Sequence, residues 1–270
     1  MPVTTDEKGR RALEVSVEVP GTPEQVWQAI ATGPGYGAWF VPTDLEEHVG
    51  GKVTFHLGAG MDSVGEVTEW QPPVRVAFVE PGWSETAPPL TTEVIVEALG
   101  GGICRVRMVH SIPSGDTSWD DEIGSMETGW PGFFEVLKIY LRHFAGQKAA
   151  SARPMVPFAG TVAEAWADIC ERLGLAGVQV GEHRRAPDGA PPLAGIVERA
   201  EKGEQLGDLT MRLEAPAPGV AIVGVFAWGD QTNIGISLFF YGGDCEAVAA
   251  RETARWEAWL KEIYPAPAEA

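Results

Sequence analysis

TGWPGFFEVLKIYLRHF, residues 128–144, decides how the first half of this chain is read. Its apolar residues Trp130, Phe133, Phe134, Leu137, Tyr140, Leu141 and Phe144 recur at spacings of three and four, so one face of a helix carries nearly all of its hydrophobic surface. Such a face has to be covered, and what precedes it is a series of short alternating segments. A curved antiparallel sheet wrapped around the helix buries both partners. A cup closed by a helical lid is a container for a ligand.

Working outward, residues 52–57, 65–70, 74–79, 92–98 and 104–110 each alternate apolar with polar and are separated by turn-forming pairs such as Gly50-Gly51, Pro72-Pro73 and Pro88-Pro89. Gly100-Gly101-Gly102 predicts a hairpin turn. Links this short cannot make parallel crossovers, so the strands form one antiparallel sheet with a face packed on helix. Alternation places Cys104, Val106, Met108 and His110 on the apolar side and Arg105 and Arg107 in water, while Val53, Phe55 and Leu57 put His56 outside. His110 is the polar residue expected to look inward. Residues 111–127 read as an acidic loop before the gripping helix.

Upstream, residues 1–11 are polar and residues 13–19 (LEVSVEV) alternate as a strand. Thr22-Pro23-Glu24-Gln25 then supplies an N-cap, a proline at the first helical position and a Gln three residues after the cap, with Val26, Trp27 and Ile30 as the apolar face. The following GPGYG, residues 33–37, comes after a helix and not between a strand and a helix, so it reads as a turn and not as a phosphate loop.

Composition bounds the function. At 270 residues the chain holds one large domain or two ordinary ones. Cys104, Cys170 and Cys245 have no metal-binding spacing, which suits a reducing compartment and argues against a zinc site. A net charge of -18 excludes a nucleic-acid binder, because neutralising phosphates needs clustered Lys and Arg. The acids Asp116, Asp120, Asp121 and Glu122 lack the alternating ligands of a calcium loop, so no metal is expected. The N-terminal residues have no apolar targeting core and no run reaches membrane-span length, so a cytoplasmic location without membrane insertion is expected.

The order of these segments, TPEQVW helix, GPGYGAWF, GGKVTFHL, GEVTEWQPPVRVAF, GGGICRVRMVH and GWPGFFEVLKIYL, resembles the helix-grip superfamily abbreviated SRPBCC. That superfamily includes START-type lipid carriers, birch-pollen-allergen-like proteins and polyketide cyclases, and the branch most similar is that of the heat-shock-protein-90 ATPase activator. The resemblance covers residues 13–145 and implies an α+β helix-grip fold with an apolar cavity between sheet and long helix. It implies no universal catalytic residue and no cofactor.

In the second half, residues 145–160 lose periodicity and read as a linker. Thr161-Val162-Ala163-Glu164 is another capping box, and Trp166 stands five residues after its cap as Trp27 does after Thr22. Residues 194–199, 209–213, 220–228 and 233–241 are strand-like, and residues 248–264 form an amphipathic helix whose WEAWLKEIY echoes FFEVLKIY. A tandem duplication is expected: a first helix-grip domain over 1–146, a linker over 147–160 and a divergent second copy over 161–270, its cavity smaller or filled.

No Ser/His/Asp order, nucleophile elbow, Walker loop or HExxH is present, so whether any reaction is catalysed stays open. The expected function is a soluble binding protein for a small hydrophobic ligand. The alternatives are a polyketide cyclase or aromatase-like enzyme using the same pocket, which needs two or more inward polar groups, or a co-chaperone-like module binding a protein through the sheet exterior. The candidate ligand-binding residues are Trp39, Phe40, Phe55, Trp83, Met108, His110, Trp130, Phe134, Leu137 and Tyr140, with His110 the candidate for acid/base work because neutral imidazole both donates and accepts.

Overall fold

Alternating side chains set up the first sheet. The computed structural model describes residues 3–6, 9–58, 62–83, 87–113, 117–203 and 206–265, and the chain divides into two units, Met1–Gly146 and Gln147–Ala270. In the first unit β1 (Thr4–Thr5) pairs with β2 (Arg11–Pro20), after which the chain enters α1 (Pro23–Ile30). The capping box forms as the sequence predicts, with Gln25 N donating to Thr22 Oγ1 at 3.4 Å and Thr22 N donating to Gln25 Oε1 at 2.9 Å. Val26, Trp27 and Ile30 are buried.

GPGYG, expected as a turn, is a short helix, α2 (Gly33–Gly37), capped by Thr32. The hydroxyl of Thr32 donates to Gln28 O at 2.7 Å and accepts from Gly35 N at 3.0 Å. The packing is closed enough that a Cβ at Gly35 would sit 2.0 Å from Gln28 O, which is why glycine stands there.

The meander follows as β3 (Thr43–Leu45), β4 (Lys52–His56), β5 (Asp62–Gln71), β6 (Arg75–Glu80), β7 (Leu90–Gly100) and β8 (Ile103–Ile112). The sheet order is β1-β2-β8-β7-β6-β5-β4-β3, antiparallel throughout. The β7–β8 hairpin turns on Gly100, Gly101 and Gly102, all at positive φ, which glycine adopts at least cost. On the outer face Arg107 bridges Glu14 and Glu97, and Arg105 bridges Glu18. On the inner face Cys104, Val106, Met108 and His110 are buried as the alternation requires.

The gripping helix α3 spans Asp120–His143, eight residues earlier at its start than the sequence pattern predicts. Gly124, Gly129 and Pro131 hide the first turns from a periodicity reading. Tertiary packing overrides their poor propensity: Ile123 is fully buried in a cluster with Leu13, Leu90 and Ile112, and Asp120 in the first turn pairs with Arg11 of β2. The residues expected as a loop thus comprise the end of β8, a 3₁₀ turn (Thr117–Trp119) and the first two turns of α3. Asp116 and the side chain of Glu122 lie outside the described residues. Groups of three or more potential metal ligands are absent among the described residues.

In the second unit β9 (Ala149–Ala152) and β10 (Met155–Phe158) precede α4 (Val162–Arg172), β11 (His183–Arg185), β12 (Ala194–Lys202), β13 (Leu206–Ala215), β14 (Gly219–Trp228), β15 (Gln231–Tyr241) and α5 (Cys245–Ile263). The linker expectation is corrected here. β9 and β10 both pair antiparallel with β15, as β2 pairs with β8, so residues 149–158 are the first strand of the second copy, interrupted at Arg153-Pro154. Alanines, a serine and two prolines conceal the strand, and its position at the sheet edge tolerates Pro157. Each unit is therefore a helix-grip fold, a curved antiparallel sheet packed on a long helix, and the two stand in tandem. The second interior is filled by Met211, Val223, Ile236, Leu238 and Trp256, all essentially inaccessible.

Among the described residues no helix is long and apolar enough to cross a membrane. If residues 149–158 are strand, the amides of this segment that bond to β15 exchange with deuterium as slowly as the interior of that sheet. Exchange at the rate of an open chain would restore the linker.

Candidate functional site

Between α3 and the inner face of the first sheet lies a cavity of about 320 Å³, at the small end of the range for small-molecule sites, roughly 300–1,000 Å³. Phe55, Phe78 and Leu90 form the sheet side, Phe40 comes from the segment between α2 and β3, and Met126, Trp130 and Phe133 come from α3. The rings brace one another. Phe40 meets Phe133 edge-on at 4.9 Å and Trp130 at 4.9 Å, and Tyr36 meets Phe55 edge-on at 5.3 Å.

Of the sequence-predicted ligand residues, Phe40, Phe55, Trp83, Met108, His110 and Trp130 line this cavity. Trp39, Phe134, Leu137 and Tyr140 do not. Trp39 is fully buried and donates its indole N–H to Ala29 O at 2.9 Å, tying the α2 turn to α1. Phe134 packs between Trp39 and Trp130, and Leu137 is fully buried. The Tyr140 hydroxyl accepts from Gly146 N at 3.2 Å. A helical face wide enough to seal the cup exceeds what the cavity touches, so half of it becomes ordinary core.

Five polar side chains also border the cavity, and four were not singled out in the sequence: Tyr36, Ser63, Glu80 and Thr92, beside His110. Three of the four are legible after the fact. Glu80 follows Val76 and Phe78 on one face of β6, Thr92 precedes Val94 and Val96 on one face of β7, and Ser63 shares its face of β5 with Gly65 and Val67. The same period-2 rule that picked His110 selects them. Tyr36 had no such signal, because its segment reads as a turn.

These groups form a directed relay. Trp130 Nε1–H donates to His110 Nε2 at 2.8 Å, and since indole is only a donor, the imidazole proton sits on Nδ1. Nδ1–H in turn donates to Thr92 Oγ1 at 3.0 Å. The hydroxyls of Thr92 and Ser63 donate to the Glu80 carboxyl. Both ring nitrogens of His110 are thereby engaged, and burial pushes its pKa down to about 4, so it is neutral at physiological pH. Burial raises the Glu80 carboxyl above its ordinary range, against the two hydroxyl donors.

Tyr36 differs from the rest. It is 2% exposed, and its hydroxyl has no hydrogen-bond partner among the described residues. A buried hydroxyl in that state costs roughly 1–3 kcal/mol. Burial, reinforced by the Glu80 charge, pushes its pKa far up, so it remains a phenol.

The second unit carries a groove beside α4, lined by Trp166, Cys170, Leu175, Val178 and Leu209. Its charged members Glu171, Glu201 and Lys202 are exposed, and nothing there corresponds to the relay of the first unit.

Residues 20–142 match the sequence family described as Activator of Hsp90 ATPase homolog 1-like protein. No curated protein matches the chain in sequence. Similar solved structures include CalU16 from Micromonospora echinospora, at 16% identity over 53% of this chain and 83% of that one, with a TM-score of 0.42. The Aha1 dimer from Colwellia psychrerythraea is 21% identical over 49% of this chain and 96% of that one, TM-score 0.41. The di-domain ARO/CYC BexL from the BE-7585A biosynthetic pathway is 14% identical over 96% of this chain and 100% of that one, TM-score 0.44.

Two histidines move in opposite directions. His56, on the outer face, hydrogen-bonds Asp44 and Asp62 at 3.0 Å each, and these carboxylates raise its pKa. In a ¹H–¹⁵N NMR titration His56 is expected to gain its proton above pH 6.5, the ordinary imidazole value, while His110 stays neutral down to about pH 4. A His110 that titrates near the ordinary value would mean that the relay is not dry. For Glu80, a folded pKa above the unfolded one means that its contribution to stability is complete at low pH and is lost as pH rises through the folded value. Glu80→Gln should therefore raise the melting temperature relative to the parent more at pH 8 than at pH 4, and an equal effect at both would contradict the raised pKa.

Proposed function

The first unit belongs to the Activator of Hsp90 ATPase homolog 1-like branch of the helix-grip superfamily, and from that premise we propose that the chain binds and holds one small hydrophobic ligand in the cavity of that unit. The observation that carries this reading is an aromatic-walled space of about 320 Å³ that the surrounding rings leave open, with hydrogen-bonding groups confined to one part of its wall. Burying apolar ligand surface there gains roughly 25 cal/mol per Å². A cavity of this size suits a molecule of one or two rings. It does not take the full length of a long-chain lipid.

A cyclase or aromatase reading gains support from the five polar groups that meet the cavity, more than carriage alone requires. Against it stands His110, whose two nitrogens are occupied and whose pKa is depressed, so the one side chain expected to move protons is held as a structural link. The co-chaperone reading calls for a complementary outer surface. The charges of that face, Glu14, Glu18, Glu97, Arg105 and Arg107, are satisfied by one another across the strands, and exposed pairs of this kind contribute about 0–1 kcal/mol each.

Native mass spectrometry of the freshly purified protein, with extraction of what accompanies it, is expected to find a small apolar adduct or, if the ligand has been lost, saturable binding of a naphthalene-type fluorescent probe. Gly129 of α3 lines the cavity and a Cβ there would meet nothing within 4 Å. Gly129→Leu should raise stability by roughly 0.5–1 kcal/mol through helix propensity while abolishing binding. Probe binding that survives this substitution unchanged places the ligand elsewhere.

A further inference from the structure

One group of the cavity wall is left, among the described residues, with hydrogen-bonding capacity that the protein does not use. The Tyr36 hydroxyl is buried without a partner. The Glu80 carboxyl beside it accepts from Ser63 and Thr92, and burial raises its pKa. Both line the same cavity, and they are close enough to interact electrostatically without a hydrogen bond between them.

Resting on the proposed function above, we propose that the Tyr36 hydroxyl donates to an acceptor oxygen of the ligand, and that the ligand is a small, mostly apolar ketone or enone. The rest of the site agrees with a carbonyl. No lysine or arginine lines the cavity among the described residues, so an anionic ligand would be unpaired. The flat rings of Phe55, Phe78 and Trp130 suit a planar, conjugated body. A neutral phenol donating from a buried wall polarises a carbonyl oxygen without reorganising. Here His110 has no free nitrogen with which to take a proton from the ligand, so the Tyr36 donor acts in recognition.

The test compares four probes of one shape, indane, 1-indanone, 4-indanol and 1-aminoindane, by calorimetric titration against the full-length protein and its Tyr36→Phe and Glu80→Gln variants. The expected result is that 1-indanone binds roughly tenfold more tightly than indane, the worth of about one net hydrogen bond. Tyr36→Phe should erase that preference and leave indane affinity unchanged. Because it removes an unpartnered hydroxyl, the variant should also melt no lower than the parent, which separates a ligand-facing group from a structural one. The infrared carbonyl stretch of bound 1-indanone should move to lower wavenumber in the parent protein and return toward its free value in Tyr36→Phe.

Equal binding of indane and 1-indanone overturns the Tyr36 donor and leaves the cavity reading intact. Tighter binding of 4-indanol or 1-aminoindane than of 1-indanone overturns it in favour of a donor or cationic ligand. If neither indane nor 1-indanone binds, the cavity reading itself fails and takes the Tyr36 donor with it. Retention of the ketone preference in Tyr36→Phe, or its loss only in Glu80→Gln, also overturns the assignment to Tyr36.

Discussion

The fold of the first unit depends on one mismatch: the apolar face of α3 must be buried, yet the sheet that buries it is too strongly curved to be filled by it. The space of about 320 Å³ between them leaves apolar wall unburied, surface whose covering is favourable. The void persists because its walls are rigid rings in mutual contact, Phe40 against Phe133 and Trp130, and Tyr36 against Phe55, which cannot close in without losing those contacts. The same deficit is the driving force for a ligand.

The polar relay is the second constraint. Tryptophan, histidine, threonine and glutamate hand hydrogen bonds in one direction and end on Glu80, which joins α3, β8, β7 and β6 through four side chains. Satisfied inside a low-dielectric wall, such a chain fixes the rotamers of its members. It also explains why His110, the most conspicuous inward polar residue, has little chemistry left to do. Tyr36 alone stands outside the relay, and it is the unsatisfied group that carries information about the ligand.

Much of this was legible in the sequence, for reasons that also explain what was missed. Alternation from Cys104 to His110 gave the inner face, and the Thr22 and Thr161 capping boxes gave both helix starts, because these signals are local. Non-local packing was invisible: the early turns of α3 form on Ile123 and the Arg11–Asp120 pair despite two glycines and a proline. Likewise residues 149–158 become strand only because β15 offers its edge. Within the site the aromatic inventory was over-inclusive, since periodicity cannot tell Leu137 and Phe134, which seal the cup, from Trp130 and Phe133, which face the space. Glu80 and Thr92 were within reach of the rule that found His110. Tyr36 was not, because glycine-rich context disguised a buried helical turn.

The central claim is that unfilled apolar space lies between α3 and the first sheet. The most direct measurement is a crystal structure of the protein under xenon pressure, since dry apolar cavities take up xenon. The account predicts xenon bounded by Phe55, Phe78, Trp130 and Phe133, displaced when a ligand is present. An interior closed by those same rings, with no xenon between them, would contradict it.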